Sequence, residues 1–107
     1  IEETHHLQKL DKPSGTAITL AKDIIRTHPR YRRWAIDASK ENDVKIASLR
    51  QAEVAGKHVI NYHSSIDTIA ITHEAHSREG FALGAVLVAE WIQDKKGIFT
   101  MNDFIKI

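Results

Sequence analysis

The stretch HHLQKLDKPSGTAITLAKDIIR, from His5 to Arg26, joins a short extended segment to a helix and thereby determines the kind of fold that this chain adopts. Its second half carries apolar residues three and four positions apart, which is the spacing of one helix face: Ala17, Ile18, Leu20, Ala21, Ile24 and Ile25. Ser14 or Thr16 can accept hydrogen bonds from the first free N–H groups, and Pro29 stops the helix. We therefore predict a helix over Ser14 to Arg26, preceded by a short strand.

Further along the chain the apolar pattern changes to the two-residue period of strands. Val44 to Arg50, Val59 to His63 and Ile66 to Ala75 follow this period, which predicts three consecutive strands, the last two as a hairpin. Between the helix and these strands, Arg30 to Asp43 is polar and basic, and we expect an irregular or partly helical excursion there.

The last third of the chain contains a second predicted helix. Glu79 to Asp94 is apolar nearly all round, so this helix should be covered on more than one face. Met101 to Ile107 forms a short closing segment. The order of elements predicts an α+β fold, with a mixed or antiparallel four-stranded sheet packed on helices, as one domain over residues 1–107.

Composition limits the classes of function. The net charge is +1, with 15 basic and 14 acidic residues, so no overall field favours nucleic acid or an anionic membrane. The most apolar run, Phe81 to Ile92, is shorter than a membrane span. The chain has no cysteine, which excludes thiolate chemistry and suits the reducing cytoplasm. We expect a cytoplasmic protein that binds neither nucleic acid nor membrane.

The loop between the first strand and the first helix is the best candidate for chemistry. His5 and His6 should point to opposite faces of an extended chain and therefore serve different purposes. Lys9 can add a fixed positive charge beside one of them. The free N–H groups around Ser14, Gly15 and Thr16, at the positive end of the helix dipole, can bind an anion. These groups predict a pocket for a small carboxylate or phosphate, with an imidazole placed to move a proton.

Ordinary explanations remain open at this point. Ser-Gly-Thr before an apolar helix can be a cap alone, and paired histidines in a loop can simply face solvent. We expect no metal site at His5 and His6, because neither a carboxylate nor a third imidazole stands at ligand spacing. The basic run Arg30 to Trp34 is interpreted as a loop with its aromatic side chains packed inward. The other histidines of the strand region are interpreted as structural or surface residues, with His73 the one most expected to be buried: His58, His63, His73 and His76.

The opening stretch also resembles a known signature. Glu3 to Ala17, ETHHLQKLDKPSGTA, is similar to the E-x-H-H-x-x-K-x-D-x-P-S-G-T-A motif of the dihydrodipicolinate reductase family, the 4-hydroxy-tetrahydrodipicolinate reductases of lysine and diaminopimelate biosynthesis. Arg50 with Val54 to His58 resembles the family's R-x-x-x-V-x-G-x-H segment. Two further segments of the family, I-T-H-x-A-x-S-R and F-A-x-G-A, resemble Ile71 to Arg78 and Phe81 to Ala85. Residues 26–43 carry no motif of the family.

The resemblance implies a two-domain, NADH- or NADPH-dependent oxidoreductase. The chain corresponds to the C-terminal substrate-binding and tetramerisation domain, and the family's Rossmann domain is absent from it, because five scattered glycines cannot form a dinucleotide loop. No cofactor-binding residue is therefore expected in this chain, which should be inactive alone. The expected partners are a small dicarboxylate substrate and further copies of the chain, as a homotetramer.

Residue roles follow from the resemblance, position by position. The nucleotide delivers a hydride to the unsaturated heterocyclic dicarboxylate, and His5 supplies a proton as general acid, with Lys9 as the second catalytic residue. The implied substrate-binding residues are His6, Ser14, Gly15, Thr16 and, as a further cation, Arg78. A non-catalytic oligomerisation or binding module with a small-carboxylate site remains the alternative.

Overall fold

The computed structural model describes residues 1–37 and 40–106, and these form two compact units, Ile1–His76 and Ser77–Ile107. The first unit contains a sheet and one long helix, and the second contains two helices. The prediction of a single domain over residues 1–107 stays a prediction.

The predicted first helix is present as α1, Gly15–Thr27. Ser14 is its N-cap, and its side chain accepts a hydrogen bond from the N–H of Ala17. The apolar stripe buries Ala17 and Ala21 completely. At the other end the N–H of His28 bonds to Ile24, and Pro29 follows. Local spacing and a capping residue are therefore enough to define this element.

The sheet of the first unit has five strands: β1 (Glu2–His5), β2 (Arg33–Ile36), β3 (Asp43–Arg50), β4 (Gly56–His63) and β5 (Thr68–Ala75). Their spatial order is β2-β3-β1-β4-β5. β1 and β2 both run parallel to β3, whereas β4 pairs antiparallel with β1 and with β5. The α+β class, the mixed sheet and the β4–β5 hairpin are therefore confirmed.

The number of strands differs from the predicted four. Arg33–Ile36 is a strand, where we expected an irregular or partly helical excursion over Arg30 to Asp43. Four residues are too few to show a period by themselves, and β2 exists because it pairs along β3. Tyr31 and Trp34 do pack against the core as anchors. Positions 38 and 39 of the predicted excursion and position 107 of the predicted closing segment lie outside the described residues.

The core lies between α1 and one face of the sheet. Val44 and Ile46 of β3 are buried against Ala17 and Ala21, whereas the intervening Lys45 is exposed. Because strand residues alternate between faces, Ser48 and Arg50 continue the same buried face towards the end of β3. The apolar core therefore turns into a polar cluster near the start of α1.

His73 is exposed, so the prediction that it is the buried strand histidine is wrong. β5 is an edge strand of the sheet, and all of its residues except Ala75 are exposed. An alternating pattern marks a strand but does not say whether anything covers its apolar face.

The second unit contains α2 (Glu79–Ile92) and the short α3 (Met101–Ile105). Trp91 packs edge-on against Phe99 and Phe104, with ring centroids 5.5 and 5.6 Å apart. None of the fourteen residues of α2 is buried within this chain, although the helix is strongly apolar. Among the described residues, no helix has both the length and the apolar character needed to cross a bilayer.

Candidate functional site

Strand register places a row of polar side chains across the middle of the sheet. Glu3 of β1 lies opposite Ser48 of β3 and opposite His58 of β4. Directly paired residues of neighbouring strands point to the same face, so these three side chains meet on the face that also carries the core. This row can be recognised only when the pairing of the strands is known.

A second row lies two residues further along β1. His5 shares the face of Glu3 because side chains alternate, and it pairs with Arg50 of β3. On the β4 side the neighbour of the His5 ring is Gly56, where a Cβ would come within 3.3 Å of Nε2 of His5. Because glycine has no side chain, position 56 leaves room for the His5 imidazole.

The Glu3 carboxylate is the centre of the cluster and is fully buried. Its Oε1 accepts hydrogen bonds from the Ser48 hydroxyl, from Nη1 of Arg50 at 3.0 Å and from the backbone N–H of Ser14 at 3.4 Å. Its Oε2 is hydrogen-bonded to Nδ1 of His5. Both oxygens are therefore occupied by donors from three different parts of the chain.

These donors keep Glu3 ionised. Burial by itself raises the pKa of the carboxyl, but the hydrogen bonds from Ser48, Arg50 and His5 outweigh burial and bring the pKa below its usual value. A buried carboxylate is costly without such partners, and the positive charge of Arg50 offsets it. The cluster therefore presents a fixed negative charge to the His5 imidazole.

Arg50 also connects this charge to the loop between β1 and α1. Its Nε donates to the carbonyl of Lys9 at 3.3 Å, and its Nη2 donates to the carbonyl of Asp11 at 2.6 Å. The N–H of Lys9 bonds back to the carbonyl of His6, which closes a turn. One guanidinium thus holds the loop that contains Lys9 beside the buried carboxylate.

The Lys9 ammonium is paired with Asp11 at 2.9 Å. The Lys9 side chain is 23% exposed and that of Asp11 is 59% exposed, so the acidic partner is on the solvent side. The hydrogen bond from Lys9 lowers the pKa of Asp11 and keeps this carboxylate ionised. Because Asp11 is the more exposed partner, an anion from solvent can compete with it for the Lys9 ammonium.

Ser14 links the cluster to the start of α1. Its hydroxyl accepts from the N–H of Ala17 at 3.2 Å and lies 3.1 Å from Nε2 of His58. Ser14 is only 2% exposed, so its hydroxyl is committed to the cap and to His58. Its contact with a substrate stays a prediction.

Gly15 and Thr16 form the exposed first turn of α1. A Cβ at Gly15 would meet no atom within 4 Å, so the space beside this residue is open. The first N–H groups of a helix have no partner inside the helix and carry the positive end of its dipole. The turn is therefore suited to bind a carboxylate, and it adjoins the cluster through Ser14.

His58 completes the buried part of the site. Its ring stands edge-on to His5, with centroids 5.1 Å apart. Burial, and after it the charge of His5, holds the pKa of His58 below its usual value. A neutral His58 can accept the proton of the Ser14 hydroxyl, and it adds no second positive charge beside His5.

Glu3, His5 and His58 each offer an atom within 4.8 Å of the other two, which is a spacing that could hold a metal ion. The carboxylate and second imidazole that the sequence did not place near His5 are thus supplied by the sheet. However, the oxygens of Glu3 already accept four hydrogen bonds, and the Arg50 cation stands at 3.0 Å. This donor set fits a hydrogen-bonded network better than a cation site.

The remaining predicted site residues are His6 and Arg78. His6 follows the end of β1, and its Nδ1 is buried without a hydrogen-bond partner among the residues that the structure describes. Arg78 is the N-cap residue of α2, in the second unit. Within the first unit, the structure brings together His5, Lys9, Ser14 and the first turn of α1.

Sequence reasoning gave five residues no part in the site, although all except Ser48 stand in the segments that resemble the family, and it interpreted His58 as a structural or surface residue: Glu3, Ser48, Arg50, Gly56 and His58. Glu3 could have been found, because a residue two positions before His5 in a strand shares its face. The other four need the pairing of β1 with β3 and β4, which no local pattern encodes.

Comparison with known proteins identifies the family of this chain. A family model described as the C-terminus of dihydrodipicolinate reductase matches residues 1–105. The 4-hydroxy-tetrahydrodipicolinate reductase of Christiangramia forsetii is 54% identical over 105 residues, which are 98% of this chain and 44% of that protein. The enzyme of the same name from Archaeoglobus fulgidus is 39% identical, over 99% of this chain and 45% of that protein.

A solved structure has a similar fold. The dipicolinate-bound dihydrodipicolinate reductase from Paenisporosarcina sp. TG-14 superimposes with a TM-score of 0.65 at 22% identity, over 92% of this chain and 40% of that chain. The chain spans less than half the length of the curated relatives named above. Since the family model matches nearly every residue, this chain belongs to the dihydrodipicolinate reductase family and corresponds to its C-terminal domain.

Proposed function

We propose that this chain is the substrate domain of a 4-hydroxy-tetrahydrodipicolinate reductase, an NAD(P)H-dependent oxidoreductase of lysine and diaminopimelate biosynthesis. The observation that carries the proposal is the buried Glu3–His5 pair next to the open first turn of α1. A proton donor and an anion site thus adjoin one another, in a chain whose relatives bear that enzyme's name.

His5 is the proton donor in this proposal, and its Nε2 is the working atom. Nδ1 is bound to Glu3, whereas no described residue hydrogen-bonds to Nε2. The hydrogen bond to the carboxylate fixes the ring, so that His5 is placed to pass a proton from Nε2 to a substrate carbon. His6 is proposed as a neighbouring substrate contact.

A small dicarboxylate fits the charges around His5. Gly15 and Thr16 supply free N–H groups and a hydroxyl for one carboxylate, and Lys9 supplies a cation that offsets negative charge. Arg78 is proposed as a further cation. A similar fold is known in a reductase that binds dipicolinate, a planar dicarboxylate, which supports this substrate class.

The nucleotide must be held by residues outside this chain. The loop between β1 and α1 contains no glycine, and Gly15 is the single glycine in the first turn of α1. The described residues therefore offer no glycine-rich strand–helix turn of the kind that binds a pyrophosphate. NADH or NADPH, bound by another domain, supplies the hydride. This domain then orients the substrate and provides the proton.

We propose a homotetramer and a cytoplasmic location. The exposed apolar residues of β5 and α2 include Ile69 and Ile71 on the strand, and Phe81, Leu83 and Leu87 on the helix, which supports burial against other subunits. Light scattering coupled to size exclusion tests this assembly, and a monomer would contradict it. The absence of cysteine and the need for reduced nucleotide support the cytoplasm.

The decisive experiment measures steady-state turnover in the intact protein that carries this chain. We expect His5→Asn to reduce kcat by about 10²- to 10⁴-fold, because a positioned acid contributes that much. Lys9→Met should raise KM for the dicarboxylate and lower kcat. His28→Asn, which changes an exposed histidine at the far end of α1, is the matched control and should leave both constants unchanged.

Two results would contradict the proposal. Turnover that is insensitive to His5→Asn would remove the assigned proton donor. Absence of turnover in the unsubstituted protein, with binding of pyridine-2,6-dicarboxylate retained, would favour a binding and oligomerisation module without chemistry.

A further inference from the structure

The buried Glu3 carboxylate does more than neutralise Arg50, because its second oxygen is directed at a single atom of the catalytic imidazole. Oε1 is held by Ser48, Arg50 and the N–H of Ser14. A carboxylate fixed through one oxygen cannot rotate, so the direction of Oε2 towards Nδ1 of His5 is fixed as well.

We propose that Glu3 is a positioning residue that holds His5 in the tautomer with a proton on Nδ1, so that Nε2 is the atom that gives up a proton to the substrate. The role of His5 as proton donor rests on the proposed function above, but its tautomer does not.

The charge state of Glu3 decides the tautomer. An ionised carboxylate can only accept hydrogen bonds, so Nδ1 must donate, and in the neutral ring the lone pair is then on Nε2. Hydrogen bonds from Ser48, Arg50 and His5 overcome the effect of burial and keep the pKa of Glu3 low. The same arrangement of carboxylate and imidazole orients histidines in other enzymes.

The surroundings of Nε2 agree with this assignment. Gly56 faces this nitrogen with no side chain, and no described residue hydrogen-bonds to it. The charged and titratable groups on the neighbouring elements are Arg50 of β3, His58 of β4 and Lys9 of the loop. Arg50 and Lys9 are cations, and His58 is bound to Ser14, so Glu3 is the acceptor available to His5.

The proton balance of the step is simple. The imidazolium of His5 loses the proton on Nε2 to a carbon of the reduced substrate, and the neutral ring keeps its Nδ1–H bond to Glu3. Glu3 stays ionised throughout. The ring therefore does not turn during the step, and the next proton returns to the same nitrogen.

A purely structural role for Glu3 is the competing explanation. Arg50 and Ser48 would satisfy the carboxylate in that case, and the contact with His5 would be incidental. His5 would then be free to carry its proton on either nitrogen, and removing the carboxylate charge would change stability without affecting the chemical step.

The first test uses NMR on the unsubstituted intact protein with histidine labelled by the heavy nitrogen isotope. We expect neutral His5 to carry its proton on Nδ1, with that proton shifted downfield by the carboxylate; the signals are assigned by their loss in His5→Asn. A neutral His5 with its proton mainly on Nε2 would overturn the proposal. This result does not depend on turnover, so it remains informative if the proposed function fails.

The second test compares Glu3→Gln with Glu2→Gln, a matched change at the exposed neighbouring residue of the same strand. We expect Glu3→Gln to lower kcat by about 10- to 100-fold while KM changes little, and to abolish the preference of His5 for the Nδ1–H tautomer. Glu2→Gln should alter neither. A folded Glu3→Gln protein with normal kcat and an unchanged tautomer would overturn the proposal, and if this variant does not fold, the first test decides.

Discussion

Nη1 of Arg50 lies 3.0 Å from Oε1 of Glu3, which is the same separation as that between Arg26 and Asp23 on the surface of α1. The side chains of the first pair are 14% and 0% exposed, whereas those of the second are 76% and 57% exposed. Equal distances thus occur in very different surroundings. Water screens the surface pair, while the buried pair has no solvent to replace a lost partner.

Removal of Arg50 should therefore be far more damaging than removal of Arg26. We expect Arg50→Met to lower the free energy of unfolding by about 3 kcal/mol, because it leaves the Glu3 charge buried and frees the loop at Lys9. Arg26→Met should cost less than about 1 kcal/mol. Urea unfolding of the two variants measures the difference, and equal losses would show that burial is not what makes the Arg50 pair valuable.

Ser14 and Thr16 separate stability from binding at the start of α1. Ser14→Ala should lower the free energy of unfolding by about 1 to 2 kcal/mol, since it removes the N-cap acceptor and the partner of His58. Thr16→Val should leave stability nearly unchanged but weaken binding of pyridine-2,6-dicarboxylate. Thermal unfolding measures the stability of both variants, and calorimetric titration measures their binding of the dicarboxylate. A Ser14→Ala protein as stable as the unsubstituted one would mean that the cap is dispensable.

Gly56→Ala should disturb His5 without breaking the sheet. The new Cβ would lie 3.3 Å from Nε2, so the imidazole must move by a few tenths of an ångström. We expect kcat to fall roughly tenfold with an unchanged melting temperature, because small misplacements of a reacting group are costly. Gly15→Ala, where a Cβ meets nothing within 4 Å, should weaken dicarboxylate binding and leave the His5 tautomer as it is. A normal kcat in Gly56→Ala, or a changed His5 tautomer in Gly15→Ala, would contradict this.

His58 should make the first unit less stable in mild acid. Burial, followed by the charge of His5, lowers the pKa of His58 in the folded protein. As the pH falls, His58 therefore takes up its proton in the unfolded chain before it does so in the folded protein. The stability that neutral His58 contributes to the fold is complete above the ordinary histidine pKa of about 6.5 and is lost as the pH falls below it. Unfolding in urea at about pH 7.5 and about pH 5 should show this loss, and His58→Gln should reduce it. An unchanged pH dependence in His58→Gln would refute it.

The elements that could be predicted from sequence are those with a strong local signal. The sequence predicts helix α1 over Ser14 to Arg26, and the helix lies at Gly15–Thr27. The two ranges agree closely because the apolar stripe and the cap are both encoded within a few residues. The hairpin of β4 and β5 was recognised for the same reason. Strand β2 was missed, because four residues next to a polar segment become a strand only through pairing with β3.

The site likewise contains residues with a local sequence signal and residues that strand pairing alone brings in. The loop with His5 and Lys9, and the first turn of α1, stand out in the sequence because histidines, a lysine and a helix start follow one another closely. Arg50 gave no local signal of its connection to Glu3, from which it is separated by more than forty residues. Its role appears only when β1 and β3 align in parallel.

The sequence by itself determined the α+β class, the first helix with its cap, and the set of groups that can move a proton and bind an anion. Only the tertiary structure decided which nitrogen of His5 is bound, which carboxylate binds it, and how Arg50 joins that carboxylate to the Lys9 loop. The physical reason is that periodicity and capping act over a few residues, whereas register acts between strands distant in the chain, and a buried charge is stable only where register brings its partners to it.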